Sequence, residues 1–296
     1  MKVFITGGSG FVGRAIIHQL LISGHSVRAL IRQPAALFHF SNVETVVGDT
    51  TQPETLEKQL SGCHAVIHLV GIIREFPGRG ITFDQLHIAS THNVLRAAAE
   101  QGINRYLQMS ANGSREDGLT DYHRTKWEAE KLVRQSKLDW TIFRPSLIFG
   151  QHDQFVNMLA QLIRKLPLVP VMGDGQYQLQ PVSISDIAKS FAIALNKPET
   201  IGRSYSCCGP QTFSYNQILD LIAQALGKSA GSRKIHQPLW LMKPLVAALQ
   251  SIPQFPITSD QLQMLLEGNV CTNNSWQNDF SLELHEFSST IRAYLK

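Results

Sequence analysis

Three glycines at positions 7, 10 and 13 decide most of what the first half of this chain can become. They lie in Thr6-Gly7-Gly8-Ser9-Gly10-Phe11-Val12-Gly13, between the run Lys2–Thr6, which reads as a strand, and a stretch predicted as helix from about Phe11 to Ser23. Each glycine has a physical use. Gly7 permits a tight turn, Gly10 lets backbone approach a pyrophosphate, and Gly13 lets helix and strand pack closely. The start of the helix then offers free N–H groups and the positive end of its dipole to phosphate. A glycine triplet alone is a weak signal, but inside a strand–turn–helix unit it predicts a dinucleotide site. Thr6, Phe11 and Val12 complete that loop's expected cofactor contacts.

The same rhythm continues. Ser26–Ile31, Val43–Gly48, Ala65–Val70, Arg105–Ser110 and Trp140–Arg144 read as strands, with helices predicted over about Phe83 to Gln101 and Tyr122 to Gln135. Short strands alternating with amphipathic helices predict an α/β, Rossmann-type doubly wound parallel sheet with right-handed crossovers. After Gly150 the pattern changes. Helices predicted at Gln154–Lys165, Ser185–Leu195, Phe213–Leu226 and Ser259–Leu266 imply a smaller, mostly α C-terminal lobe. The expected division is a dinucleotide-binding domain over 1–150, with 184–210 returning to it. A substrate or partner lobe is expected over 151–183 and 211–296.

Cofactor choice is set where the second strand ends. NAD(H) sites carry a carboxylate there for the ribose hydroxyls, whereas this chain has Ile31-Arg32 with Arg28 nearby. An arginine offers charge and forked donors to the extra phosphate of NADP(H). NADP(H) is therefore expected as the preferred cofactor and NAD(H) as the alternative; solvated surface arginines remain the other reading of these residues. Asp49, followed by Thr50 at the end of the third strand, is placed to meet the adenine amino group or to serve a helix start. Leu69-Val70-Gly71 ends the fourth strand, where a small residue lets a cofactor lie close.

Composition excludes several classes. At 43% apolar and 17% charged residues the chain is ordinary for a globular protein, and its net charge of +4 comes without the basic runs that nucleic acid needs. Cys63, Cys207, Cys208 and Cys271 match neither a zinc spacing nor a disulfide framework, so buried free thiols in a reducing compartment are expected. His64 and His68 lie in a strand-like run, so no metal site is predicted. Met1 leads straight into a strand and no apolar stretch is long enough to span a bilayer, which predicts a cytoplasmic protein. The apolar run Leu239-Trp240-Leu241-Met242-Lys243-Pro244-Leu245-Val246 is expected to pack inside its lobe, with docking on a membrane or partner protein as the alternative.

Further motifs follow: His87-Ile88-Ala89-Ser90-Thr91-His92-Asn93-Val94-Leu95, Tyr122-His123-Arg124-Thr125-Lys126, Phe143-Arg144-Pro145-Ser146-Leu147-Ile148-Phe149-Gly150 and Pro181-Val182-Ser183-Ile184-Ser185-Asp186-Ile187-Ala188. With the glycine loop, they resemble the short-chain dehydrogenase/reductase superfamily in its extended or atypical branch. Val27–Arg32, Leu107–Gly113 and Pro256–Leu262 make the chain similar to the group related to the nucleotide-binding accessory subunit of respiratory complex I. Tyr122 and Lys126, four apart, share a helix face, and a cation there would lower the phenol's pKa. The resemblance implies that Tyr122 handles a proton and Lys126 also holds the nicotinamide ribose. It implies cofactor contacts at Ser110 and Pro145 too. The family's polarising serine falls on Asn112, with Ser110 two residues early and Ser114 two late, and its usual asparagine falls on His87. The expected function is an NADP(H)-dependent oxidoreductase acting on a small carbonyl or quinone-like substrate. The alternatives are a non-catalytic accessory protein of a respiratory complex, peripheral at the inner face of a membrane, and a sugar-nucleotide epimerase or dehydratase.

Overall fold

A computed structural model describes residues 1–33, 40, 42–228, 231–252 and 255–295. The chain opens with β1 (Lys2–Thr6), α1 (Phe11–Ile22), β2 (Ser26–Ile31), β3 (Val43–Val47) and β4 (Ala65–His68). A π-helical segment, Asp84–Ala89, runs into α2 (Ser90–Glu100) and is followed by β5 (Arg105–Met109), α3 (Asp121–Gln135) and β6 (Asp139–Pro145). The pattern predicts one uniform helix from Phe83; its first turns are instead wound with i→i+5 bonding, a change that apolar spacing does not encode. Thr120 caps α3 by accepting from the His123 N–H, which fixes where that helix begins.

Beyond Pro145 come β7 (Ile148–Phe149), α4 (Gln154–Lys165), β8 (Val169–Met172), β9 (Gln178–Leu179) and β10 (Val182–Ser183). Then follow α5 (Ile184–Leu195), β11 (Arg203–Cys207), β12 (Phe213–Ser214), α6 (Tyr215–Ala225) and β13 (Lys234–Gln237). The chain ends with α7 (Leu239–Leu249), α8 (Ser259–Glu267), α9 (Trp276–Asp279) and α10 (Phe287–Tyr294). Capping boxes at Ser214–Gln217 and Thr258–Gln261 fix the starts of α6 and α8.

The main sheet has the order β11-β6-β5-β4-β1-β2-β3. Parallel pairing joins β1 to both β2 and β4, β2 to β3, and β5 to both β4 and β6. This is the doubly wound, Rossmann-type sheet that the sequence predicts, with β11 as an added edge. The order reverses at β1, so the carboxyl ends of β1 and β4 open a crevice where such sheets take ligands. One compact unit comprises Met1–Pro145, Ile187–Ser206 and Asn278–Leu282, and the other Ser146–Asp186, Cys207–Gln277 and Glu283–Lys296. In the first, Phe4, Val66, Tyr106, Val94, Val133 and Ile142 belong to one buried cluster. In the second, Phe149, Leu159, Val171, Ile218, Ile222 and Ile291 form another.

The expectation of four free thiols is corrected. Cys208 and Cys271 form a disulfide, while Cys63 and Cys207 are free and buried. The partners lie 63 residues apart, and only the fold brings their Cα atoms to 6.0 Å; spacing carried no sign of it. The bridge sits among hydrogen bonds from Gln180 and Asn274 to the Gly209 carbonyl and from the Trp276 indole to the Cys208 carbonyl. Maleimide labelling of denatured, unreduced protein is expected to modify Cys63 and Cys207 alone, and all four cysteines after reduction. Reduction should also lower stability by about 2–4 kcal/mol. Labelling at Cys208 without reductant would remove the bridge.

Candidate functional site

The glycine loop is built by contact. Gly7 has φ +73°, and a Cβ there would lie 3.0 Å from the Leu69 carbonyl carbon, so the loop presses on the chain leaving β4. At Gly13 a Cβ would lie 2.3 Å from the Gly7 carbonyl oxygen, which is why α1 can start so near its strand only with glycine there. The Gly10 N–H closes the turn onto the Gly7 carbonyl at 3.1 Å. A Cβ on exposed Gly10 would meet nothing nearer than that same oxygen, at 3.4 Å, so this backbone faces open space. Phe11 and Val12 are half-buried at the start of α1, whose cap has no side-chain acceptor. The N–H groups there remain suited to an anion.

The Thr6 hydroxyl is already engaged, 2.6 Å from His68 Nδ1. His68 is fully buried, with Ser90 Oγ 3.4 Å from Nε2, and burial pushes its pKa down to about 3. It ties β1 to β4 and α2 as a neutral ring. Arg32 is exposed just past β2, and Asp49 stands past β3 on the neighbouring strand. The Asp49 carboxylate accepts from the Thr51 N–H and hydroxyl, both at 2.9 Å, and so organises its own turn. Buried Thr50 gives its carbonyl to the Asn93 amide. Arg28 does not join Arg32: it pairs with Glu44 and donates to the Gln59 and Ser61 carbonyls.

Lys126 is the pivot of the second half of the site. It is 4% exposed, and its ammonium donates to the Met109 carbonyl at 3.4 Å, beside Ser110. A Cβ on Gly71 would lie 2.6 Å from Lys126 Nζ, so the glycine after Leu69-Val70 makes room for the lysine as well as for a ligand. His87, in the π-helical segment, is buried next to it. Its Nδ1 is 2.9 Å from Thr125 Oγ1, and its Nε2 is 3.2 Å from the Ile72 nitrogen and 3.1 Å from the Ile72 oxygen. Tyr122 stands edge-on to His87 and Phe83, at centroid distances of 5.5 and 5.9 Å.

Burial sets the protonation states. It pushes Tyr122 up to about 12, against the expectation that the lysine lowers it, because water is lost around the phenolate. It pushes Lys126 down to about 8, opposed by Glu130, and His87 down to about 2, reinforced by the Lys126 charge.

The strand-end positions divide the roles differently from the sequence spacing. Ser110 is buried and donates to Glu130 Oε1 at 2.6 Å, with Ser114 Oγ 3.2 Å away. Glu130 has no exposed surface and takes Arg144 in a fork, Nε to Oε1 at 2.8 Å and Nη2 to Oε2 at 2.5 Å, with Arg134 also bonded. Half-buried Asn112 bonds through its N–H to the carbonyl of buried Pro145 at 2.8 Å. Glu130 was missed because a glutamate among many charged residues on a helix gives no sign of burial. Its place four residues beyond Lys126 was the available clue. Among the described residues no group of three His, Cys, Asp or Glu side chains could hold a metal.

The depressed lysine gives a testable pH dependence. With a folded pKa of about 8 and an ordinary value of 10.5, the unfolded chain binds more protons between those values, so stability rises with pH there. Below about 8 the buried ammonium exerts its full cost. Lys126→Met should therefore gain most over the parent near neutral pH. That advantage should shrink by on the order of 3 kcal/mol as pH rises through about 8 to 10.5, read by urea unfolding. A difference that is flat with pH would contradict the burial of the charge.

Comparison with known proteins agrees with this geometry. A family described as NAD(P)H-binding matches residues 7–157, and one described as RmlD substrate binding domain matches 110–247. NADH dehydrogenase [ubiquinone] 1 alpha subcomplex subunit 9, mitochondrial, of Dictyostelium discoideum is 26% identical over 74% of this chain and 62% of its own length. The ceramide reductase of Caulobacter vibrioides is 30% identical over 66% of this chain and 61% of its own. The chain thus spans about three-fifths of each of these relatives. A solved structure, MoeE5 in complex with UDP-glucose and NAD, superposes with a TM-score of 0.77 at 16% identity, covering 100% of this chain and 97% of that one. A glycine loop on a doubly wound sheet, a matching family model over more than half the chain and a complex I subunit among its relatives place the protein in the NAD(P)H-binding family, within the atypical extended branch of the short-chain dehydrogenases/reductases.

Proposed function

We propose that this protein binds NADP(H) and reduces a small carbonyl or quinone-like substrate. The observation that carries the reading is the arrangement on α3: half-buried Tyr122, with Lys126 one turn on, buried against Gly71. Three donors on the lysine and one 3.4 Å bond leave capacity for ribose hydroxyls. The open backbone at Gly10 and the uncapped start of α1 fit a pyrophosphate, and Arg32 fits a further phosphate. The nicotinamide, when bound, supplies the hydride to the substrate carbon. Tyr122, protonated at neutral pH, then gives its phenolic proton to the substrate oxygen, and a bound cofactor and the Lys126 charge would have to lower its pKa from about 12 for that transfer to be efficient. Lys126 orients the ribose, and Asn112 helps hold the substrate oxygen.

A second reading has its own support. The complex I subunit among the relatives, together with Asn112 and His87 at altered catalytic positions, fits a nucleotide-binding accessory protein held at the periphery of a respiratory complex or membrane. In that case the ligand serves stability, which needs no chemistry.

Calorimetry tests the cofactor. NADP(H) should bind more tightly than NAD(H), and Arg32→Asp should weaken NADP(H) by about 1–3 kcal/mol. Equal affinities in the parent protein would overturn the preference. Turnover separates the two functions after a screen of carbonyls and quinones with NADPH. Tyr122→Phe should keep cofactor affinity and lower turnover by roughly 10²–10⁴. Unchanged turnover in that variant rejects the proton role, and a screen without turnover favours the accessory reading.

A further inference from the structure

Helix α7 contradicts the expectation that Leu239–Val246 packs inside the lobe. Of its eleven residues, Leu-Trp-Leu-Met-Lys-Pro-Leu-Val-Ala-Ala-Leu, Val246 alone is buried, and Trp240 is 77% exposed. Leu241 and Leu245 are exposed as well, and Lys243 is the helix's one charged side chain. A helix apolar on all sides normally lies in a core or against another apolar phase. The exposed apolar surface extends to the strand pair that leads into it. Ile235 is exposed on β13, and β13 pairs with β8, which follows exposed Leu166 and Leu168. Gly173 at the end of β8 touches Leu239.

The segment that carries this surface is basic, although exposed Asp174 lies beside Pro238, and Asp260 and Glu267 lie on α8, which packs against α7. No aspartate or glutamate occurs between Asp220 and Asp260, while Lys228, Arg233, Lys234 and Lys243 do. Lys234 is taken by Asp220 at 2.5 Å, and Lys228 donates to the Ile163 carbonyl. Arg233 and Lys243 are exposed, as is Lys165 just before Leu166.

We propose that α7, with the exposed ends of β8 and β13, is the surface by which this protein lies on an anionic lipid bilayer. A bilayer interface accepts exposed leucines without a shaped counterpart. It places a tryptophan ring at headgroup level and attracts Lys and Arg to acidic headgroups. Lys243 and the indole N–H of Trp240 are the helix's polar side-chain groups, and both are placed as an interfacial helix places them, at the water-facing edge of an apolar surface. At about 16 Å long the helix is an interfacial element, and no helix among the described residues is long and apolar enough to cross a membrane. This deepens the peripheral placement named above and does not depend on the nucleotide site.

The test is co-flotation of the full chain with phosphatidylcholine vesicles, with and without phosphatidylglycerol. Binding is expected to the anionic vesicles and to fall in high salt. Trp240→Ser with Leu241→Ser should reduce partitioning about tenfold or more, and Lys243→Glu roughly fivefold. Arg96→Glu, on α2, should leave it unchanged, and circular dichroism with thermal unfolding of each variant verifies that the fold is intact. Absence of flotation at low salt, or equal flotation of the Trp240/Leu241 variant, overturns the proposal. So does a self-association that the same variant abolishes while vesicles remain unbound, which would make the occupant a second copy. Vesicle binding without any NADP(H) affinity would instead reject the cofactor reading and leave this one standing.

Discussion

A buried carboxylate fastens α3, the helix that carries Tyr122 and Lys126, to the sheet. Glu130 has no solvent exposure, and Arg144 on β6, Arg134 on its own helix and Ser110 after β5 all converge on it. Removing such a charge from water is costly, and only well-formed charged hydrogen bonds offset that cost. The fork from Arg144 meets this condition and fastens α3 to the sheet. Both guanidinium groups lie over the Trp127 ring, 4.7 and 5.5 Å from its centroid, and this adds to the same contact. Lys126 and Tyr122 lie one and two turns before this anchor on one helical face, so their positions follow from it. Losing either arginine would leave a carboxylate buried with fewer partners and would release the helix that carries both residues.

The π-helical segment is the second device. Winding Asp84–Ala89 with wider turns places the His87 ring between Thr125 of α3 and the Ile72 backbone after β4. A neutral imidazole thus braces the loop that contains Gly71, opposite the lysine. In this family position an amide would offer fixed donor and acceptor groups. The histidine reaches two elements with two ring nitrogens, and burial keeps it uncharged. Positioning is preserved here by a different residue.

The glycine loop, the alternation of strands and helices and the shared helix that carries Tyr122 and Lys126 were legible in the sequence because each depends on local spacing: a turn, a period of two, or one helical turn. The disulfide between Cys208 and Cys271, the burial of Glu130 and the engagement of Ser110 were not, because each depends on which distant segments meet. Arg28 shows the same limit within one strand. Its sequence position beside Arg32 points to phosphate, but Glu44 on the next strand and two carbonyls already occupy it. The pKa of Tyr122 was misjudged for a related reason. An i, i+4 spacing places a lysine on the same helix face, whereas the desolvation that raises Tyr122 depends on what packs around the ring. The exposure of α7 was hidden by the same rule in reverse, since apolar composition normally signals a core.

The electrostatics of the site unify its two candidate roles. His68, His87 and Lys126 are three buried bases close enough to influence one another, and the lysine's charge lowers both histidines. Only Lys126 can hold a proton near neutrality. Glu130 favours that charge, but two arginines already satisfy the carboxylate, so Lys126 is left with little compensation. An anionic ligand at the adjoining strand ends would supply that compensation and favour the protonated lysine. Binding would thereby stabilise the fold through the same group that reductase chemistry needs beside Tyr122. On this electrostatic argument nucleotide binding would not require turnover, because the lysine's deficit is present whether or not the phenol gives up a proton.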